Sequence, residues 1–263
     1  MMPFILITGL GYALATLFRL LEKVNARPMA LHGTVALVVG FISHLITLGI
    51  ESWQFSISGT FKVRLVISAV SALLVAVCIF LEQRGDRWFS FFVFPMAIPL
   101  AALPAIDVPG LSGPSFQGGY FWLHVSGAIT GEFFFLLAAL SAASYLYETR
   151  RLKSKNRLRA VFLIPPLTRL DRLTAAFTAA GIFFFGAGLI FGALWSLETF
   201  KTLNFHEPKR LIAFLLCVYF AIALVGRFVR GWAGPRLAWL VIGGALASLA
   251  QMLLMGNRLH WLP

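Results

Sequence analysis

The sequence predicts an all-α membrane protein of about eight transmembrane helices, with both termini on the outer side of the membrane. Hydrophobic residues make up 59% of its 263 residues and charged residues only 12%, whereas ordinary soluble domains are about a quarter charged. Its mean hydropathy is +0.86. Since a spanning helix needs about 20 apolar residues, several spans and short loops fit. The sequence therefore predicts a single transmembrane domain over residues 1–263.

Eight apolar blocks, taken in order along the chain, predict the individual spans. The first block lacks a basic leading segment and a small-residue cleavage site and runs into Arg19, which favours a mature helix over a signal peptide. Cys78 and Cys217 each lie inside an apolar block with no second cysteine at two-residue spacing, which predicts packing residues. The predicted spans are 3–20, 29–50, 63–81, 88–106, 119–147, 173–197, 210–228 and 236–256.

The Lys and Arg residues fall unevenly on the two sets of loops, and this asymmetry predicts the orientation because cytoplasmic loops carry the excess. The basic loop 148–172 is the main cytoplasmic anchor, whereas the loop around 107–118 has Asp107 and no Lys or Arg. The net charge of +12 therefore comes from basic residues in loops, where they set the orientation of the chain in the membrane. Membrane lipid rather than nucleic acid is the expected partner. The predicted cytoplasmic set holds 16 of the 22 basic residues: Arg19, Lys23, Arg27, Arg84, Arg87, Arg150, Arg151, Lys153, Lys155, Arg157, Arg159, Arg169, Arg172, Arg227, Arg230 and Arg236.

On this topology, all the histidines except His32 lie toward the outer face. His124 opens the fifth span from the outside, and His260 follows the eighth. Imidazole is a common axial ligand of haem iron, and two histidines on different elements can hold a porphyrin from both faces. Their neighbours Trp122 and Trp261 could pack on the ring, but tryptophans also mark membrane interfaces generally. Two interpretations of His124 and His260 therefore stay open: a pair of axial haem ligands, or ordinary residues of the membrane interface.

The segment 204–210 places an imidazole, a carboxylate and two cations directly before the seventh span. His206, Lys209 and Arg210 would suit the propionates of haem, since cations pair with carboxylates. The same segment also fits an ordinary helix start, with Pro208 near the first turn and Glu207 favoured by the helix dipole. Both interpretations stay open.

His44 and Glu132 are ionisable residues inside predicted spans, where polar side chains usually face the bundle interior. His44 lies roughly 22 Å above the cytoplasmic end of its span, in the outer part of the membrane. Glu132 follows His124 by eight residues, so it returns to nearly the same helix face about 12 Å further in. A proton or cation path and a buried hydrogen-bonded pair are both open. The glycines of the sixth span predict close helix contact: Gly181, Gly186, Gly188 and Gly192.

The chain resembles the cytochrome c assembly family of haem-handling membrane proteins (CcsA and CcmC type), most closely its HemX-like (YpjD-like) branch, over residues 28–261. The segment 122–126, with Trp122 and His124, is similar to the family's start of a span that carries an external haem ligand. The segment 254–260 is similar to the closing segment, whose histidine is the second ligand. His44 falls where the branch has a histidine in its second span, and 164–173 resembles its cytoplasmic linker.

The segments 192–195 and 206–209 take the place of the family's tryptophan-rich haem loop, and here the chain departs from the family pattern. It has no tryptophan between Trp195 and His206, and Val225 stands where larger members have a histidine in the seventh span. The resemblance implies that His124 and His260 ligate the iron, that His206, Lys209 and Arg210 receive the propionates, and that Trp122, Trp195 and Trp261 line the ring.

The function implied by the resemblance is haem handling or delivery during cytochrome c-type biogenesis, at the outer face of a bacterial inner membrane. The cofactor would be b-type haem, held stably or in transit, and the partners other cytochrome-assembly or haem-biosynthesis proteins. No catalytic motif is visible in the sequence, so the protein is expected not to be an enzyme. One alternative is a non-haem membrane adaptor that regulates another protein. The other is a small-ion or proton-coupled transporter that uses Glu132 and His44.

Overall fold

Every regular element in the described part of the chain is helical, as the composition predicts. The computed structural model describes residues 2–25, 30–58, 63–85, 87–102, 119–154, 164–201 and 208–256. Each predicted span has its helix, and several helices run past the predicted apolar block by a few residues to two turns. The helices are α1 (Met2–Asn25), α2 (Ala30–Ser58), α3 (Val63–Gln83), a 3-10 helix (Arg87–Phe89), α4 (Ser90–Ala102), α5 (Gly119–Lys153), α6 (Leu167–Phe200), α7 (Pro208–Arg230) and α8 (Pro235–Gly256).

Five of the described helices have the length and composition of membrane spans. Within the described residues, α1, α2, α5, α6 and α7 are long and apolar enough to cross a membrane, and α3 and α4 contribute shorter apolar stretches. Large apolar side chains such as Leu6, Ile190 and Phe228 are exposed on them, as expected for contact with lipid. The chain is therefore an all-α, multi-pass membrane protein.

The chain divides into two compact units. Unit 1 comprises Met1–Gln117 and Ala160–Leu163, and its described helices are α1 to α4. Unit 2 comprises Gly118–Arg159 and Ile164–Pro263, with α5 to α8. His124 and all the other candidate haem residues belong to unit 2, whereas His44 belongs to unit 1.

Unit 1 is held by a close glycine contact and by buried polar pairs. A Cβ atom on Gly11 of α1 would lie 2.6 Å from the Cα atom of Gly40 in α2, so the two backbones meet where neither residue has a side chain. At the end of α1 predicted to be cytoplasmic, Arg19 lies 2.9 Å from the carboxylate of Glu82 in α3. Cys78 is buried and free, as its sequence context predicts.

In unit 2, α5 and α6 pack closely through glycines and phenylalanines. A Cβ atom on Gly188 would lie 2.7 Å from the backbone nitrogen of Ala128, and one on Gly181 would lie 2.5 Å from the ring of Phe135. Phe135 stacks on Phe220 of α7 at 3.8 Å between ring centroids. The prediction of close helix contact is confirmed for Gly181 and Gly188. At Gly186, by contrast, an added Cβ would meet only the Cys217 sulfur, at 3.8 Å.

An ion pair joins α6, α7 and the start of α8 at the end of unit 2 predicted to be cytoplasmic. The Asp171 carboxylate lies 2.6 Å from the guanidinium of Arg227. Its other oxygen accepts a hydrogen bond from the backbone N–H of Gly234 at 2.8 Å. Gly234 has φ of 66°, a left-handed conformation that glycine adopts without strain. Asp171 therefore fixes the turn that leads from α7 into α8.

Candidate functional site

One end of unit 2 gathers the start of α5, the end of α6, the start of α7 and the end of α8. The distribution of Lys and Arg predicts that this is the outer end of unit 2. His124, Trp122, Trp195, Lys209 and Arg210 all lie here, as the sequence predicts. The other candidates, His206, His260 and Trp261, lie outside the described residues, so their roles stay predictions.

His124 lies near the start of α5, half-buried against α6. Its Nδ1 atom is 2.7 Å from the backbone carbonyl oxygen of Gly188. Because a carbonyl oxygen can only accept a hydrogen bond, Nδ1 carries the proton and donates it. In neutral imidazole the other nitrogen, Nε2, then keeps its lone pair. This is the arrangement by which metal-binding histidines are oriented.

Gly192 leaves room for the imidazole ring one helical turn beyond Gly188. A Cβ atom on Gly192 would lie 2.5 Å from Nδ1 and 2.8 Å from Cε1 of His124, closer than real atoms approach. The ring is therefore seated by two glycines of α6: one carbonyl group orients it, and one missing side chain accommodates it.

One predicted tryptophan, Trp195, and four further aromatic residues lie at this end of the α5 and α6 pair. The Phe121 ring lies 5.1 Å from the indole of Trp195, and Tyr120 stacks with Phe191 at 6.4 Å between centroids. Phe200 meets Trp195 edge-on at 5.6 Å. We call these five residues the outer aromatic cluster: Tyr120, Phe121, Phe191, Trp195 and Phe200.

The position of the outer aromatic cluster follows from helical periodicity. Tyr120 and Phe121 precede His124 by four and three residues, so they share its helix face. Trp122 precedes it by two residues, about 200° around the helix, on a different side of α5. Trp195 of α6 contacts the Phe121 side of α5. The role of Trp122 in lining a ring stays a prediction. The sequence analysis did not name Phe121 and Tyr120, although their spacing of three and four residues before His124 is a signal that could have found them.

Lys209 and Arg210 occupy the first turn of α7 and are both half-buried. The backbone carbonyl oxygen of Lys209 accepts a hydrogen bond from Gln251 of α8 at 3.2 Å. This bond joins the start of α7 to the end of α8. The two cations therefore begin α7 at the end of unit 2 where α8 finishes.

The two intramembrane ionisable residues are each hydrogen-bonded within their own unit. Glu132 of α5 accepts a hydrogen bond from Ser248 of α8 in unit 2. His44 of unit 1 is completely buried, with Nδ1 at 2.9 Å from the Tyr12 hydroxyl and Nε2 at 3.0 Å from the Ser68 hydroxyl. Both ring nitrogens of His44 are therefore occupied by protein partners. The two residues bond different partners and act as separate polar contacts between helices.

Three features of the described residues at the outer end fit a haem ligand set. One imidazole is oriented with its lone pair on Nε2, aromatic rings lie on the same face of α5, and two cations begin α7.

The sequence model of the cytochrome C assembly protein family matches residues 10–259. This chain belongs to the cytochrome c assembly family. Its relatives include proteins named cytochrome c biogenesis protein CcsA. The one from Guillardia theta is 23% identical over 262 aligned residues, with 91% of this chain and 85% of the relative covered. The one from Synechococcus sp. (strain RCC307) is 25% identical, with 73% and 72% covered.

A third relative of that name, from Prochlorococcus marinus (strain MIT 9312), is 26% identical, with 86% of this chain and 83% of the relative covered. The matches thus extend over most of both chains and include unit 1 as well as unit 2. The chain is a multi-pass membrane protein of a family that acts in cytochrome c assembly, as the sequence predicts. The HemX-like branch remains a prediction.

Proposed function

We propose that this protein binds haem at the outer end of unit 2 and assists haem handling or delivery in cytochrome c-type biogenesis. His124, through Nε2, and His260 would be the axial ligands. Bound haem would supply an iron centre with two axial positions that imidazoles can fill. The observation that carries the proposal is the hydrogen bond from His124 Nδ1 to the carbonyl oxygen of Gly188, because it leaves Nε2 for the iron.

The surroundings of His124 support the same assignment. A porphyrin is flat and apolar, and aromatic side chains pack well against such a surface. Its propionates are anionic and pair with cations, which the first turn of α7 provides. The residues proposed to line the ring are Trp122, Trp195 and Trp261, and those proposed for the propionates are His206, Lys209 and Arg210.

In the cell, we place the protein in a bacterial inner membrane with the His124 site on the outer face. The haem is b-type and non-covalently bound, and the protein performs no catalysis of its own. Other cytochrome-assembly or haem-biosynthesis proteins are its partners. The excess of Lys and Arg on the opposite side supports this orientation.

The test is an absorbance spectrum of the purified protein and of three variants. Wild type is expected to show a Soret band with the low-spin features of two histidine ligands. His124→Ala and His260→Ala are each expected to lose haem or to change its ligation, and added imidazole should restore the low-spin spectrum. His32→Ala is the control, because this exposed histidine belongs to α2 of unit 1.

Two other outcomes would replace the proposal. The adaptor alternative would be supported if the purified wild type showed no Soret band and the double variant His124→Ala, His260→Ala had the same spectrum as wild type. Ion or proton transport in liposomes that Glu132→Gln abolishes and His124→Ala leaves intact would support the transporter alternative.

A further inference from the structure

The helix that leads to His260 is tied to two other helices of unit 2 near its outer end. Ser248 of α8 donates a hydrogen bond to the carboxylate of Glu132 in α5. Gln251, three residues later, donates through Nε2 to the backbone carbonyl oxygen of Lys209 in α7 at 3.2 Å. Residues three apart lie on the same side of a helix, so both bonds act on one face of α8.

Apolar contacts by themselves restrict a membrane helix only weakly against rotation about its axis and sliding along it. Lipid tails are as apolar as leucine, so a helix that slides or turns exchanges protein contacts for similar lipid contacts. Hydrogen bonds are directional, and two of them to different helices restrict both movements. Ser248 is only 1% exposed, so water cannot replace Glu132 as its hydrogen-bond partner. Loss of the bond would therefore leave a buried polar group unpaired, which costs free energy.

The distance between these bonds and the end of the chain is short. The last residue of α8, Gly256, precedes His260 by four residues, which span at most about 14 Å. A slip of α8 by one turn would move the start of this segment by about 5.4 Å. An axial ligand must be held to within roughly 0.5 Å, so such a slip would displace it from the iron.

We propose that the pairs Glu132–Ser248 and Lys209–Gln251 form a clamp that sets the height and rotation of α8, the helix that precedes the proposed ligand His260. Glu132 and Ser248 are then positioning residues, and Glu132 serves as the fixed acceptor of the clamp. This inference rests on the proposed haem site and assigns a role to the intramembrane carboxylate that haem ligation by itself does not use.

The first measurement uses the haem-free protein in detergent, where the clamp can be tested without ligation. Hydrogen–deuterium exchange of the last turns of α8 is expected to become roughly fivefold faster in Ser248→Ala, the factor for loss of one ordinary hydrogen bond. Glu132→Gln keeps an acceptor oxygen and should exchange like wild type, whereas Glu132→Leu should behave like Ser248→Ala. Ser141→Ala is the matched control, because this buried serine bonds only within α5.

The second measurement is made after haem is added. Ser248→Ala, Glu132→Leu and Gln251→Leu are expected to convert part of the low-spin spectrum to a high-spin, five-coordinate spectrum and to release haem about 10-fold faster. Glu132→Gln is expected to retain the wild-type spectrum. Restoration by this conservative change separates an acceptor role from any role of the negative charge.

The outcomes separate the clamp from the haem site. If wild type binds haem and Ser248→Ala shows unchanged exchange or an unchanged ligation spectrum, the positioning role is wrong and the haem site stands. If Glu132→Gln fails like Glu132→Leu, the acceptor role is wrong. If wild type takes up no haem, the proposed function and the ligand-positioning role both fail, although faster exchange in Ser248→Ala would still show a bond that holds α8.

Discussion

The Nδ1 atom of His124 lies 2.7 Å from the backbone carbonyl oxygen of Gly188, a residue 64 positions later in the chain. The bond selects the tautomer of the imidazole in which Nδ1 carries the proton and Nε2 keeps its lone pair. A glycine at 192 completes the seat, because any side chain there would collide with the ring. The histidine that the sequence singles out is therefore held by the backbone of the neighbouring helix.

Gly192→Ala is expected to displace the imidazole of His124 and break its bond to Gly188. An added Cβ atom would lie 2.5 Å from Nδ1, so the ring has to move. Loss of such an outer partner costs about 10- to 100-fold in metal affinity, and haem titration followed by the Soret band measures it. Gly186→Ala is the control, because its Cβ would meet only the Cys217 sulfur at 3.8 Å. Equal haem affinity in the two variants would contradict the seat.

Trp195→Ala is expected to weaken haem binding about 3- to 10-fold, the effect of one lost aromatic contact. The indole lies 5.1 Å from the Phe121 ring, on the side of α5 that also carries His124. Trp239→Ala is the matched control, because this α8 indole is 57% exposed. The same loss of affinity in both variants would show a general effect on the helix bundle rather than contact with the ring.

Lys209→Ala is expected to weaken the binding of haem but not that of haem dimethyl ester. The ester has no anionic propionates, so the lysine ammonium has nothing to pair with. The substitution leaves the backbone carbonyl group that Gln251 uses. Competition between the two porphyrins on wild type and variant measures the difference. A variant that loses affinity equally for both would place Lys209 away from the propionates.

Tyr12→Phe is expected to destabilise unit 1 by about 1–3 kcal/mol, because it leaves a nitrogen of a completely buried histidine without its partner. The Tyr12 hydroxyl lies 2.9 Å from Nδ1 of His44. Thermal unfolding in detergent measures the effect, with Tyr147→Phe as the exposed control. The Soret band should stay unchanged. A shifted band would show that His44 takes part in haem binding.

Asp171→Ala is expected to lower the Tm and to destabilise the protein by about 2 kcal/mol, because it removes charged hydrogen bonds to two partners. The carboxylate bonds Arg227 and the N–H of Gly234. Asp171→Asn keeps an acceptor for Gly234 and should cost less. Glu198→Ala, an exposed acidic residue of the same helix, should change stability by less than about 0.5 kcal/mol. An Asp171→Ala variant as stable as Glu198→Ala would show that the turn holds without the pair.

The sequence predicted those candidate site residues that are recognisable by residue type and position along the chain. His124, Lys209 and Arg210 stood out as polar residues at the ends of apolar blocks, and they lie at the outer end of unit 2. The hydrogen-bonding roles of their partners did not stand out, although Gly188 was predicted to lie at a close helix contact. Gly188 acts through its backbone carbonyl group and Ser248 through a bond to a helix more than 100 residues earlier in the chain, and neither role leaves a local pattern.

By itself, the sequence determined the class and the helices of this protein, because hydropathy and the length of each apolar block are local properties of a segment. The placement of Lys and Arg predicts its orientation in the same local way. Only the tertiary structure decided which nitrogen of His124 is kept for a ligand, which aromatic residues lie beside it, and that Glu132 bonds α8 while His44 bonds Tyr12 and Ser68. These features depend on the height and rotation of one helix against another, and helical periodicity leaves both undetermined.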